Sequence, residues 1–220
     1  MKVVCVHALK SSLQPIEDAF QAVPEEVELH HMMDTTLLSL LKKQQTLSSS
    51  ILFRFVEFCR RAEEEEADVI LLTCSAFNEA RDLIQPLTTV PVLRSDEGVM
   101  KQAAAYPRVG LISTVAETPP PLERYLKSLA PDVVIHTKLD TEAMDCLARG
   151  DKAGHDARIY QMVQDVQGEV DVIVLSQYSM THTARHIPAG NTPVLTAADA
   201  SVQHILGLQA EREAAGYGTN

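Results

Sequence analysis

The chain has 220 residues, 45% of them apolar and 22% charged, which suits a folded protein of one large or two small domains. Its net charge of −11 argues against non-specific nucleic-acid binding, which needs a basic face, but not against a small anion held in a local pocket. No apolar run reaches the roughly 18 residues of a membrane span; "MKVVCVHALK" does not read as a signal peptide, and Cys5, Cys59, Cys74 and Cys146 form no CxxC pair, so a reduced, cytoplasmic setting is expected.

In chain order, "VVCVHA" (3–8) opens as a continuous apolar strand. The loop after it offers His7, Ser11 and Ser12, and Pro15 suits the first turn of a helix, where a missing N–H costs nothing. A second strand, "VELHHM" (27–32), precedes the helical stretch "ILFRFVEFCRRAEEEEA" (51–67), whose "EEEE" reads as a solvated face. "DVILLT" (68–73) is the third strand, followed by "TCSAFNEAR" (73–81) and a helix beginning near Ala76 or Phe77. "PVL" (91–93) is the fourth, and "RSDEG" (94–98) follows it, with Arg94 a candidate partner for a substrate carboxylate or part of a surface turn. Then come "RVGLIST" (108–114), "DVVIHT" (132–137), a helical stretch 141–167 that Gly150 and Gly154 can interrupt, "DVIVLS" (171–176) and "TPVLTA" (192–197). The tail "AAGYGTN" (214–220) reads as frayed.

Strands that are apolar throughout, alternating with helices, indicate parallel sheets covered on both faces. The last four strands repeat the first four. "VVCVHALKSSLQPIEDAF" (3–20) lies over "VGLISTVAETPPPLERYL" (109–126), so that Pro15 meets Pro121 and Glu17 meets Glu123. "DVILLTCSAF" (68–77) lies over "DVIVLSQYSM" (171–180), so that Cys74 meets Gln177. The expected fold is therefore α/β with two pseudo-symmetric lobes from an internal duplication, each a four-stranded parallel sheet flanked by helices. The expected division is 1–98 and 99–198, with a C-terminal helix (199–220) packing back on the first lobe. Ligands of open parallel sheets bind beyond the carboxyl ends of the strands, so matched loops should meet at one cleft.

At that cleft Cys74, at a strand end and beside a helix start, is expected to have a lowered thiol pKa and to act as base or nucleophile; the competing reading is plain packing. Gln177 can hydrogen-bond but cannot act as a base. Tyr178 shares its loop; Ser179 either bonds substrate or caps a helix, and His182 either exchanges protons or is solvated. Ser113, Thr114 and Thr118 suit a carboxylate or phosphate at a helix start, or simply cap it. His182 and His186 share helical metal-ligand spacing but lack a third ligand, so no metal is expected. Without a GxGxxG or a P-loop, no nucleotide cofactor is expected either.

Taken together, "ILLTCSAFNEA" (70–80), "PVLRSDEGVMKQAA" (91–104), "RVGLISTVAET" (108–118), "LARGDKAGHDA" (147–157) and "DVIVLSQYSM" (171–180) resemble the aspartate/glutamate/hydantoin racemase superfamily. The resemblance implies two lobes around a cleft and cofactor-free chemistry on a small carboxylate-bearing substrate, with two cysteines moving a proton on opposite faces of one carbon. Cys74 falls on the first of those cysteines and Gln177 on the second. Ser75, Thr114 and Thr118 would hold the carboxylate, with His7, Gln177, Tyr178 and Ser179 as further substrate contacts. His182 or Tyr178 would be the source of a second proton. Homo-oligomerisation is a property the resemblance allows. With one cysteine missing, a racemase-like isomerase, a one-cysteine lyase or decarboxylase, and a non-catalytic carboxylate binder all stay open.

Overall fold

The computed structural model describes residues 1–188 and 192–214. All eight predicted strands form: β1 (Lys2–His7), β2 (Glu28–Met33), β3 (Val69–Leu72), β4 (Val92–Arg94), β5 (Arg108–Ser113), β6 (Val134–Leu139), β7 (Val172–Leu175) and β8 (Val194–Thr196). They make two four-stranded sheets of the same order, β2-β1-β3-β4 and β6-β5-β7-β8. Every pair is parallel.

The helices are α1 (Leu13–Gln21), α2 (Leu37–Gln44), α3 (Ser49–Glu64), α4 (Ala80–Ile84), α5 (Glu97–Ala103), α6 (Pro119–Leu129), α7 (Thr141–Ala148), α8 (Lys152–Val166), α9 (Thr181–Ala184) and α10 (Ala197–Ala214). Pro15 and Pro121 are each the third residue of their helix, α1 and α6, so the duplication extends to the helix starts. Gly150 ends α7 with φ +81°, a left-handed conformation that glycine adopts without a Cβ penalty. Gly154 does not interrupt: it lies inside α8, its N–H donating to the capping carboxylate of Asp151 at 2.8 Å. The helix α2 was not predicted. The expected C-terminal helix is present up to Ala214 and packs on α5 and α1; residues 215–220, with most of the expected frayed tail, lie outside the described residues.

Alternation along the strands divides the core. Val3 and Cys5 of β1, Val69 and Leu71 of β3, Val109 and Leu111 of β5, and Val172 and Val174 of β7 all belong to one central cluster. Residues one step along face outward. Val4, Val6, Ile70 and Leu72 pack under α2, α3 and α4, while Ile112, Ile173 and Leu175 pack with residues of α8. A strand must alternate its side chains, so a sheet covered on both faces needs apolar residues at every position. Helices α1, α5, α6 and α10 fill the central layer. Each large aliphatic side chain removed from water there contributes about 1.5–3 kcal/mol. The two lobes therefore share one core.

Candidate active site

Loops from both lobes close over a small cavity of about 20 Å³, lined by Leu9, Ser11, Ser12, Thr73, Cys74, Ser75, Gln177, Tyr178 and Ser179. Cys74 and Gln177, the matched residues after β3 and β7, thus line the same space. The cavity has room for about one water. Three loops line it, each leaving the carboxyl end of a central strand and carrying a short 3-10 turn: Lys10–Ser12 and Ser75–Phe77 in the first lobe, and Tyr178–Met180 in the second.

Gln177 is buried, and its Oε1 accepts two hydrogen bonds from one residue: Thr114 N–H at 2.6 Å and Thr114 Oγ1 at 2.9 Å. The donors expected to hold a substrate carboxylate are therefore occupied by the carboxamide oxygen. Thr118 sits at the N-cap position of α6 yet makes no capping bond. Its hydroxyl pairs with Ser75 Oγ at 2.9 Å, a buried link between the lobes. Ser179 likewise does not cap a helix; the residue at the N-cap of α9 is Met180. Tyr178 is among the cavity's lining residues, but it packs into the central cluster and its hydroxyl donates to Ser201 Oγ on α10 at 2.7 Å, away from a role as proton source at the cavity.

Three expectations change. Cys74 is half-buried, and removal of the thiol from water pushes its pKa up to about 12; the Ala76 N–H opposes this and the charge of Glu117 adds to it. A three-residue turn is too short to supply the helix dipole on which the lowered pKa depended. His182 does not line the cavity. Its Nε2 lies 2.7 Å from Asp156 Oδ1, which also holds His155 Nδ1 at 2.8 Å, tying α9 to α8. His7 also stands outside the cavity lining, fully buried behind Ser12 and Thr73, with its Nδ1 2.8 Å from each hydroxyl. It ends the strand pointing into the central layer, where Cys5 precedes it on the same face.

Arg94 is not available to a substrate either: its Nε and one terminal nitrogen each bond a different oxygen of buried Asp96 at 2.8 Å, and its guanidinium lies 4.1 Å from the centre of the Tyr125 ring. Glu117 escaped the sequence reading. One of its carboxylate oxygens is buried without a hydrogen-bond partner, and its charge acts on Cys74. Its place beside Thr118 is the only signal the sequence carried. Cys5, His7 and His31, and separately His155, Asp156 and His182, bring potential metal-ligand atoms within 4.8 Å of one another. Among the described residues no helix is long and apolar enough to cross a membrane.

A family model described as Asp/Glu/Hydantoin racemase matches residues 10–205. No curated protein sequence matches the chain. Solved structures do match in fold. The allantoin racemase from Klebsiella pneumoniae is 15% identical with a TM-score of 0.67, over 96% of this chain and 88% of that one. The glutamate racemase from Francisella tularensis in complex with D-glutamate is 12% identical with a TM-score of 0.71, over 96% and 81%. An aspartate racemase homologue from Pyrococcus horikoshii is 12% identical with a TM-score of 0.69, over 95% and 99%.

Proposed function

The chain belongs to the Asp/Glu/hydantoin racemase family, and from that premise we propose that it is a cofactor-independent, racemase-like isomerase. Its substrate is a small acid, such as an amino acid or a hydantoin, and the reaction moves a proton at the carbon beside the carboxylate or carbonyl group. Cys74 is the acid/base. The observation that carries this reading is the shared cavity lined by Cys74 from one lobe and Gln177 from the other. The carboxamide oxygen of Gln177, held by Thr114 N–H and Oγ1, marks the position an incoming carboxylate oxygen takes once the amide swings away. Such donors also stabilise the negative charge that develops when a proton leaves the adjacent carbon, an effect that reaches about 3–4 kcal/mol for a single donor in acyl transfer. A cavity of about 20 Å³ does not admit such a substrate, so binding requires the loops after β3 and β7 to part.

A second reading has an observation of its own. A thiol held protonated by burial is a proton donor before it is a base. A one-cysteine decarboxylase needs only that: carbon dioxide leaves a malonate-type acid, and Cys74 protonates the resulting carbanion. A non-catalytic binder would need neither thiol chemistry nor a cavity that closes on the sulfur.

Incubation of amino acids, hydantoins and disubstituted malonates in deuterated water separates these. The isomerase incorporates deuterium at the α-carbon of an intact substrate and loses this with Cys74→Ser. Carbon dioxide release from malonates points to the decarboxylase. Binding without either reaction, unaffected by Cys74→Ser, would overturn both.

A further inference from the structure

One chain of polar contacts, buried at its inner end and part-exposed at its outer end, crosses the first lobe. Its inner end is Ser12 Oγ and Thr73 Oγ1, hydroxyls of two residues that line the cavity with Cys74. Each lies 2.8 Å from His7 Nδ1. His7 Nε2 lies 2.9 Å from His31 Nδ1. His31 Nε2 lies 3.4 Å from Glu17 Oε1. Glu17 and His31 both line a different space, an open groove of about 840 Å³ between α1 and β2. His7 touches neither space and is fully buried. Two cavities that share no residue are thus joined by a file of proton-carrying groups. The register explains the file: His31 pairs across the ladder with Cys5, so the His31 ring stands on the same face as Cys5 and His7, under α1, which carries Glu17.

We propose that Ser12, His7, His31 and Glu17 form a proton relay that gives the cavity the second acid/base group Gln177 cannot provide. The proposal rests on the reading of that cavity as the reaction site. The carboxylate fixes its polarity. A carboxylate 3.4 Å from His31 Nε2, at ion-pair distance, favours a proton on that nitrogen, which leaves His31 Nδ1 to accept from His7 Nε2–H, and His7 Nδ1 to accept from a hydroxyl. Ser12 and Thr73 also reach the carbonyl oxygens of Leu9 and Val6, at 2.7 and 3.0 Å, so either hydroxyl can turn its proton to His7 while the other turns to its carbonyl.

The transfer balances. The Ser12 hydroxyl takes a proton from the group bound in the cavity as its own passes to His7 Nδ1. The His7 Nε2 proton moves to His31 Nδ1, and the His31 Nε2 proton moves to the Glu17 carboxylate. The cavity has lost one proton, Glu17 has gained one, and both rings stay neutral throughout. The reverse sequence returns it. Burial lowers the pKa of His7 to about 4, assisted by neighbouring His31, which suits a ring that passes protons without holding a charge. Ser12 is the group that meets substrate; His7, His31 and Glu17 act through it.

Protein labelled with ¹⁵N in its histidines tests this in two arms. In the resting protein both His7 and His31 should carry their proton on Nε2; a His7 proton on Nδ1 overturns the relay. In Glu17→Gln, the Nδ1–H population of His7 should rise at least threefold although Glu17 does not touch that ring. An unchanged population overturns the relay, since a merely structural contact does not reach past His31. With any substrate whose α-proton the wild type exchanges, His31→Phe should cut kcat at least tenfold and leave KM within twofold; equal kcat overturns it. Should His31→Phe fail to fold, Glu17→Gln, altered at the solvent end, takes its place. If wild type exchanges no substrate, the functional reading fails while the nitrogen spectra still decide the relay.

Discussion

At the level of single residues, Cys74 and Gln177 were legible from the internal repeat, but their electrostatics were not. The sequence puts a thiol at the end of a strand next to a helical start; it does not say that the start is a three-residue turn or that neighbours strip the sulfur of water. With the pKa pushed up to about 12, the thiolate at pH 7 is roughly 10³-fold scarcer than for a free thiol. We expect iodoacetamide to label Cys74 slowly at pH 7, with the rate rising about tenfold per pH unit up to at least pH 10. A rate that plateaus below pH 9 would restore the activated thiolate. Gln177 makes the complementary case. Gln177→Ala leaves the buried Thr114 N–H unpartnered and Thr114 Oγ1 with only the long contact to Met144 Sδ at 4.0 Å, which costs about 1–3 kcal/mol. Acetate or malonate added in excess should recover part of that loss in thermal melts of the variant and do little for wild type. Equal stabilisation of both proteins would mean that the Thr114 donors are not a carboxylate seat.

At the level of elements, the central strands were readable because a strand buried on both faces must be apolar throughout, while the half-exposed edge strands β2 and β6 carry polar residues and stood out by their place between helical stretches; Gly150 and the paired prolines announced their turns. What stayed hidden is set by contacts far apart in sequence. The helix α2 carries its apolar residues as Leu37, Leu38 and Leu41, too short a stripe to stand out against the loop around it. His182 turns to Asp156 on α8, and the sequence offers no sign of which neighbour a surface histidine will find. Arg94 and Asp96, two residues apart, pair with each other because both are buried and an unpaired charge there is costly. The packing of α10 on α5 is equally invisible, and it rests on a glycine. A Cβ on Gly98 would fall 2.2 Å from the carbonyl oxygen of Ala200, a backbone atom that cannot swing aside. Gly98→Ala must push the two helices apart, and overpacking of this kind costs about 1–3 kcal/mol. Gly207, also in α10, has nothing within 4 Å of the same added atom. Gly207→Ala should instead stabilise by about 0.5–1 kcal/mol, the ordinary helical gain. Denaturant melts of the two variants should move in opposite directions; a loss of the same size in both would mean that close approach is not what Gly98 provides.

At the level of the whole molecule, the repeat gives two lobes, and the alternation of the strands ties them to one core. Val3, Cys5, Val69 and Leu71 of one sheet and Val109, Leu111, Val172 and Val174 of the other belong to the same cluster, so neither sheet keeps its inner face dry without its partner. The helix α5 (Glu97–Ala103) runs across the boundary expected between residues 98 and 99, and α10 closes the central layer against α1 of the first lobe. Acid should act on this shared layer through His7. Its neutral ring is favoured in the folded protein, with a pKa of about 4, while the unfolded chain takes up a proton below about 6.5. Stability from this group is complete above that value and drains away as pH falls towards 4, by about 3 kcal/mol in all. Because His7 and the Cys5 below it lie on the shared face, the loss should not be confined to the first lobe. Native-state hydrogen exchange checks this: the amides of Val4 in β1 and Leu111 in β5 should report the same opening free energy, and it should fall equally at both between pH 6.5 and 4. Protection lost at Val4 while Leu111 keeps its own would mean that the lobes open independently. The cavity would then be a seam between two folding units, not a feature of one.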